Sequence, residues 1–327
     1  MKALVLDAPG PVSSLYIAER RMPEPGFGEV RVKVKSVGLN PVDYKSAAIG
    51  FPTWEYPFIL GLDVAGIIDA IGENVTNWKA GDRVYYHGNM SKPGGYAEYS
   101  VITARALAAI PEEVSFEEAA AIPCAGFTAY YALYRKLHIQ KGQTILIHGG
   151  AGGVGGFAIQ LASREGLTVY TSCQQKNFDY VRSLGAHHPI DYTHEDVHSR
   201  IFELTLNRGV DAIVDTISAD NATADLRLLA FGGGIACVVG LPDFSRIKPF
   251  QKAVSIHEVS LGAAHLSGDR QAIEELGYMG KIMMQKVTAK EINPLLNEVI
   301  KLEDIPAALE RLSKRHVRGK IVATLPD

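Results

Sequence analysis

The stretch His148-Gly149-Gly150-Ala151-Gly152-Gly153-Val154-Gly155-Gly156 decides the fold. It follows the apolar run Thr144-Ile145-Leu146-Ile147 and leads into a helical pattern through Phe157 to Arg164. Counted from Gly150, the spacing Gly150-x-Gly152-x-x-Gly155 reproduces G-x-G-x-x-G. Glycines between a strand and a helix let backbone N–H groups approach a pyrophosphate at the positive end of the helix. Glycine-rich turns also arise for packing reasons, so the motif gains its meaning from a surrounding series of strand and helix units.

Such a series follows. Thr168 to Ser172 reads as a strand, Phe178 to Leu184 as a helix, Pro189 to Tyr192 as a short strand and Val210 to Thr216 as a clearer one. Gly234 to Val239 and Ser255 to Ala264 complete a set that predicts a parallel, doubly wound sheet. The tail reads as a helix from Asp269, then Val287 to Ile292, another helix, and a last strand Lys320 to Leu325. That strand follows a helix able to cross back, so the tail is expected to return to the first domain.

Upstream the texture differs. Glu29 to Val37 alternates valine with polar residues, the period of a half-buried strand. Val64 to Ile71, Arg83 to Tyr86 and Tyr96 to Tyr99 are further short runs set off by Gly, Pro and Asn turns, which predicts a barrel-like or irregular β domain. Phe116 to Ala121 reads as a helix capped by Ser115. At 327 residues and 47% apolar content two domains are expected. The net charge of -3 comes with scattered Lys and Arg, which excludes the basic stripe of a nucleic-acid binder. Cys124, Cys173 and Cys237 are far apart and odd in number, so a reducing compartment fits better than a disulfide framework. No run reaches the about 18 apolar residues of a membrane helix. A soluble, cytoplasmic protein is expected.

The end of the second strand selects the coenzyme. An NAD site needs a carboxylate there for the ribose hydroxyls. The residues are Thr171-Ser172-Cys173-Gln174-Gln175-Lys176, with no acid before Asp179. Ser172 and Lys176 offer a 2′-phosphate a hydrogen bond and a positive charge, which favours NADP (NADPH).

Taken together the motifs resemble the quinone oxidoreductase (ζ-crystallin-like) branch of the medium-chain dehydrogenase/reductases, almost end to end. The residues that carry the resemblance are Gly38-Leu-Asn-Pro-Val-Asp-Tyr-Lys45, Ile59-Leu-Gly-Leu-Asp-Val-Ala-Gly66, Gly81-Asp-Arg-Val84, Gly95-Tyr-Ala-Glu-Tyr99, Gly126-Phe-Thr-Ala-Tyr130, Gly150-Ala-Gly-Gly-Val-Gly155 and Ile190-Asp-Tyr192. The resemblance implies an α/β protein: a GroES-like β-rich catalytic domain, 1–122 and 266–327, plus a Rossmann NADP-binding domain, 123–265, usually as a homodimer. It implies that Asn40 and Tyr44 face the nicotinamide and substrate, with Thr128 on the nicotinamide side. Gly152, Gly153 and Val154 would hold the pyrophosphate, and Ser172, Lys176 and Tyr192 the adenosine phosphate. Gly240 and the Leu261-Gly262-Ala263 segment would line the nicotinamide. The zinc alcohol dehydrogenases of the superfamily bind their catalytic metal through Cys, His and Cys, and here Asn40, Leu62 and Ala125 occupy those places. Cys124 stands one place out of register, and the four-cysteine lobe is missing between Gly88 and Gly95. No metal is expected, and Cys124 reads as a small core residue.

Without a metal, hydrogen-bond donors must stabilise the charge that develops on a carbonyl oxygen. An enone or quinone delocalises that charge, so the expected activity is NADPH-dependent reduction of such an electrophile. Asn40, Tyr44 or a backbone N–H would donate to the oxygen, and Tyr44 or water would supply the proton. Asp43 is expected in a structural hydrogen bond, and His87 as a loop residue. The alternatives are an NADP-dependent alcohol or carbonyl reductase and a non-catalytic NADPH-binding redox sensor.

Overall fold

The alternating valines Val30, Val32 and Val34 form the inward face of the strand Glu29–Gly38 in the computed structural model, which describes residues 1–315 and 317–326. All three are buried to within 1%, and each such side chain contributes about 1.5–3 kcal/mol on leaving water. The strand pairs antiparallel with Asp63–Ile71 along one edge. Its other edge is shared, the first half by Tyr99–Thr103 and the second by the last strand, Lys320–Thr324. Arg83–His87 and Ala108–Ala109 extend the sheet on one side, and Leu296–Lys301 on the other. A smaller sheet joins Tyr16–Glu19, Lys2–Leu6 and Phe58–Ile59.

The chain divides into two compact units, Met1–Phe127 with Leu261–Asp327 and Thr128–Ser260. The first is the β-rich unit just described, with a core running from Ala3 to Leu325. The second holds six parallel strands in the spatial order His188–Asp191, Thr168–Cys173, Thr144–His148, Val210–Asp215, Leu229–Cys237, Ser255–Glu258. Strand order reverses between Thr144–His148 and Val210–Asp215, the switch point where doubly wound sheets bind ligands. No helix among the described residues is long and apolar enough to cross a membrane.

Several elements differ from the sequence pattern. The strand expected over Ser255 to Ala264 ends at Glu258, and a short helix Ala263–Leu266 follows. The helix capped by Asp269 runs through Thr288, into the Val287 to Ile292 segment, and a strand, Leu296–Lys301, follows. Leu296-Asn-Glu-Val-Ile-Lys301 alternates half-buried and exposed residues, too weak an apolar signal to mark it. The strand placed at Gly234 to Val239 begins at Leu229 and stops at Cys237, and the one placed at Tyr96 to Tyr99 is Tyr99–Thr103.

Candidate functional site

In the second unit, the apolar strand Thr144–His148 delivers the chain to the glycine loop, and Gly153–Arg164 leaves it as a helix. Gly149 takes φ +66°, a left-handed turn that glycine adopts without strain. The Gly152 N–H closes the turn on the Gly149 carbonyl at 2.9 Å. Gly152 caps the helix without a side chain. The first-turn N–H groups of Gly153, Val154 and Gly155 therefore need an acceptor from outside the helix. A Cβ on Gly155 would lie 2.3 Å from the Gly149 carbonyl oxygen, so the turn closes this tightly only on glycine. On Gly152 a Cβ would meet nothing nearer than that same oxygen at 3.3 Å. Tight backbone and an uncapped positive helix end fit a pyrophosphate.

Beside the loop, Lys176 lies exposed in the turn Gln175–Asn177, directly after the second strand. Tyr192 is exposed after the neighbouring strand, whose Asp191 pairs in register with Cys173. Ser172 is buried, and its hydroxyl lies 2.8 Å from His148 Nδ1. His148 Nε2 in turn meets Asp225 at 2.7 Å. Burial would lower the His148 pKa, but the Asp225 carboxylate outweighs it and raises it. Sequence reasoning missed Asp191. Its carboxylate accepts from the backbone N–H and the hydroxyl of Thr193, at 3.0 and 2.7 Å, and pairs with His194. These bonds hold the Asp191 carboxyl well below the usual range. Thr128 is buried at the start of this unit, and Gly240 follows the fifth strand three residues past its end, packed on Ala219.

In the first unit, Asn40 is the N-cap of helix Pro41–Ile49, with Pro41 at its first position. Asn-Pro-x-Asp is a helix-start signature readable in the sequence. The Asn40 N–H donates to Asp43 Oδ2 at 2.8 Å, and the Tyr96 hydroxyl donates to the same oxygen at 2.8 Å. The Asn40 side chain turns away to Asp63, donating from Nδ2 at 2.8 Å, while Lys320 Nζ donates to its Oδ1. An ammonium only donates and a carboxylate only accepts, so this pair fixes which way the amide faces. Lys320 also reaches the Leu39 carbonyl at 3.1 Å and Asp63 Oδ2 at 3.2 Å. Asp63 Oδ1 accepts from the Cys124 N–H at 2.7 Å. Asn40, Asp63 and Lys320 are each at most 3% exposed. Tyr44 lies one helix position past Asp43, half-buried against the core. Ala263 is exposed at the start of its short helix in this unit.

His87 is not a loop residue: it ends the strand Arg83–His87 and pairs in register with Asp63. Burial drives its pKa down to about 4, against the pull of Asp63, and its Nδ1 is buried without a hydrogen-bond partner among the described residues. Cys124 is half-buried, and burial followed by the Asp63 charge pushes its thiol far up. Asp63, His87 and Cys124 present ligand atoms within 4.8 Å of one another. Comparison of motif positions alone did not reveal this cluster. Of the aromatics in the Gly50–Tyr56 loop, Trp54 stacks on Phe58 at 4.0 Å and donates to the Met90 carbonyl at 2.6 Å, so it packs.

Burial raises the Asp43 carboxyl from 3.8 to about 7, against the lowering effect of its two hydrogen bonds. Between about pH 4 and 7 the folded chain therefore holds a proton that the unfolded chain has released, and stability falls as pH rises. His87 has the opposite slope, gaining stability from about pH 4 to 6.5. Asp43→Asn retains His87, so the difference between the two proteins isolates Asp43. Urea unfolding at several pH values should show wild type losing ground to the variant as pH rises from 4.5 to 7. Parallel curves would refute the assignment.

Residues 26–112 match the model of the alcohol dehydrogenase GroES-like domain, and residues 184–322 that of zinc-binding dehydrogenases. The chain is similar to a quinone oxidoreductase from Sus scrofa, 31% identical over 97% of this chain and 95% of that protein. Among solved structures it resembles the quinone oxidoreductase from Coxiella burnetii, with TM-score 0.86, 31% identity and coverage of 100% and 99% of the two chains. An alcohol dehydrogenase superfamily protein from Novosphingobium aromaticivorans gives TM-score 0.89 at 28% identity, covering both chains fully.

The zinc that one of these descriptions implies does not fit the first unit while Lys320 is in place. Both Asp63 oxygens already accept from donors, and the ammonium opposes a second cation beside them.

Proposed function

The chain belongs to the medium-chain dehydrogenase/reductases, in the quinone oxidoreductase branch, and on that premise we propose that it is an NADPH-dependent, metal-independent reductase of quinones or α,β-unsaturated carbonyls. The observation that carries this reading is the pairing of Asp63 with Lys320. The charged group among the residues next to the family's metal position is neutralised from within the chain. A metal-free site favours acceptors that spread the incoming charge themselves.

The glycine loop would hold a nicotinamide coenzyme, which would supply a hydride to such an acceptor. The N–H groups of Gly153 and Val154, next to Gly152, would orient its pyrophosphate. Lys176 and Tyr192 are the exposed side chains proposed for the adenosine phosphate. Ser172 is proposed for the same phosphate, and its hydroxyl also lies against His148. Thr128, Gly240 and Ala263 are proposed along the nicotinamide. In the first unit Asn40 uses one Nδ2 hydrogen on Asp63 and has a second, which is proposed as a donor to the substrate oxygen. Among the described residues the Tyr44 hydroxyl has no partner, and it is the proposed proton donor.

The test is steady-state oxidation of NADPH, with NADH alongside, against quinones, enones and simple ketones. Activity confined to ketones, or to NADH, would overturn the proposal. Lys176→Ala should raise KM for NADPH about 10- to 100-fold, the loss of one charge-assisted contact, and leave NADH use unchanged. An equal effect on both coenzymes would remove Lys176 from the phosphate site.

A further inference from the structure

On the reading of Ser172 as a contact of the adenosine phosphate, we propose that His148 selects the coenzyme: a hydrogen on its Nδ1 decides whether the Ser172 hydroxyl can donate to a 2′-phosphate. His148 is a positioning residue here, acting through Ser172, and everything it needs lies in the second unit. The two residues are register partners on adjacent parallel strands. The Ser172 carbonyl accepts from the Gly150 N–H at 3.2 Å, which sets the pair against the glycine loop.

A hydrogen-bonded chain runs from the surface to Ser172, and the chemistry of its members fixes every hydrogen but one. The Arg227 guanidinium, which only donates, lies 2.6 Å from His198 Nδ1. That nitrogen therefore accepts, and the ring hydrogen sits on His198 Nε2, 2.8 Å from Asp225 Oδ1. Burial would raise the Asp225 carboxyl, but the bonds from His148 and His198 hold it below the usual range. It is a carboxylate and only accepts. Its Oδ2 also takes a bond from Asn221 Nδ2 at 3.0 Å. His148 Nε2, 2.7 Å from that oxygen, must then carry a hydrogen in every state of the ring. What remains open is His148 Nδ1, 2.8 Å from the Ser172 hydroxyl.

Ser172 has one hydrogen to give. With Nδ1 bare, that hydrogen is committed to the ring, and the hydroxyl has only lone pairs left for a ligand. A 2′-phosphate dianion also only accepts, so the two repel. With Nδ1 protonated the ring donates to Ser172, and the hydroxyl hydrogen is free for the phosphate. The 2′-hydroxyl of NADH both donates and accepts, so it can pair with Ser172 in either state. Ser172 and His148 are both buried, so bulk water offers no substitute partner. Burial opposes the charged ring, but Asp225, with Asp215 adding to it, outweighs burial and raises the His148 pKa. Burial raises Asp215 in turn, against its bond from Asn221. The Cys237 thiol beside both carboxylates is pushed up to about 12 by burial and their charge, so it stays neutral. Phosphate binding favours the protonated ring. It therefore takes up a proton, and affinity falls as pH rises past the point where the free protein's His148 loses its own.

Calorimetric titration with NADPH and with NADH, each in two buffers of different ionisation enthalpy, counts the protons taken up between about pH 7 and 9.5. A phosphate monoester, with its second pKa at about 6, is already dianionic over most of that range. Wild type should take up a proton with NADPH and none with NADH, and its NADPH affinity should fall about 10-fold or more across the range, the loss of one charge-assisted bond. His148→Gln should abolish the uptake, because its amide turns NH₂ to Asp225 and oxygen to Ser172 at every pH. Ser172→Ala leaves the chain from Arg227 to His148 in place and should abolish it too. Lys176 is present in all three proteins, so any change at its ammonium cancels in the comparison. A wild type that prefers NADPH but takes up no proton overturns the inference and leaves the coenzyme reading standing. So does an uptake that survives in folded Ser172→Ala, since the proton then acts elsewhere. Equal affinities for the two coenzymes at every pH overturn the coenzyme reading and this inference with it. If His148→Gln does not fold, the wild-type and Ser172→Ala titrations decide the outcome.

Discussion

Asp63→Ala is expected to lower stability by about 3–5 kcal/mol, because it leaves the Lys320 ammonium buried with only neutral acceptors. Lys320 would retain the Asn40 and Leu39 oxygens, neither of which carries its counter-charge. The double variant Asp63→Leu/Lys320→Met removes both charges, and most of the loss should return. An apolar pair often matches or exceeds a buried ion pair in stability. Both tryptophans, Trp54 and Trp78, lie in the first unit, so their fluorescence during urea unfolding reports on the unit that holds the pair. A single variant within 1 kcal/mol of wild type, roughly the value of an exposed pair, would mean that the ion pair is not what holds this centre.

Gly155→Val should reduce NADPH affinity about 100-fold or more. A Cβ at this position meets the Gly149 carbonyl oxygen at 2.3 Å, the Gly149 carbonyl carbon at 2.7 Å and Gly150 Cα at 2.8 Å. All three are backbone, which cannot swing aside as a side chain can. The loop must open, and the first-turn N–H groups lose their aim. Two charge-assisted hydrogen bonds at about 1.5–3 kcal/mol each account for the expected factor. Calorimetric NADPH titration checks it, with a thermal melt to show that the variant is folded. A folded variant that binds NADPH as wild type does would move the coenzyme away from this loop.

The parts of this protein legible in the sequence were those written in short-range patterns. An apolar strand, a glycine turn and a helix lie within about one βα unit, and each is a local preference of the backbone. The period of two in Glu29 to Val37 marked its strand for the same reason. The turn that carries Lys176 was legible because it follows a strand end closely. Where the local signal was weak the reading failed: Leu296–Lys301 has no clean apolar face, and Val287 to Ile292 continues a helix for two residues before it ends.

The sequence by itself determined the doubly wound unit, its glycine cradle and the absence of a free acid at the Lys176 position. Only the tertiary structure decided what surrounds Asn40. Its Lys320 partner lies 280 residues away, and the two meet because the last strand pairs with Glu29–Gly38. Cys124 meets Asp63 through its backbone N–H, across a sequence separation of 61 residues that position counting does not capture. Ser172, expected at the phosphate from its place on the strand, also has its hydroxyl against His148 on the neighbouring strand. In each case a polar group's partner is set by strand pairing over long sequence distance. Burial then obliges that group to take whichever partner the pairing brings.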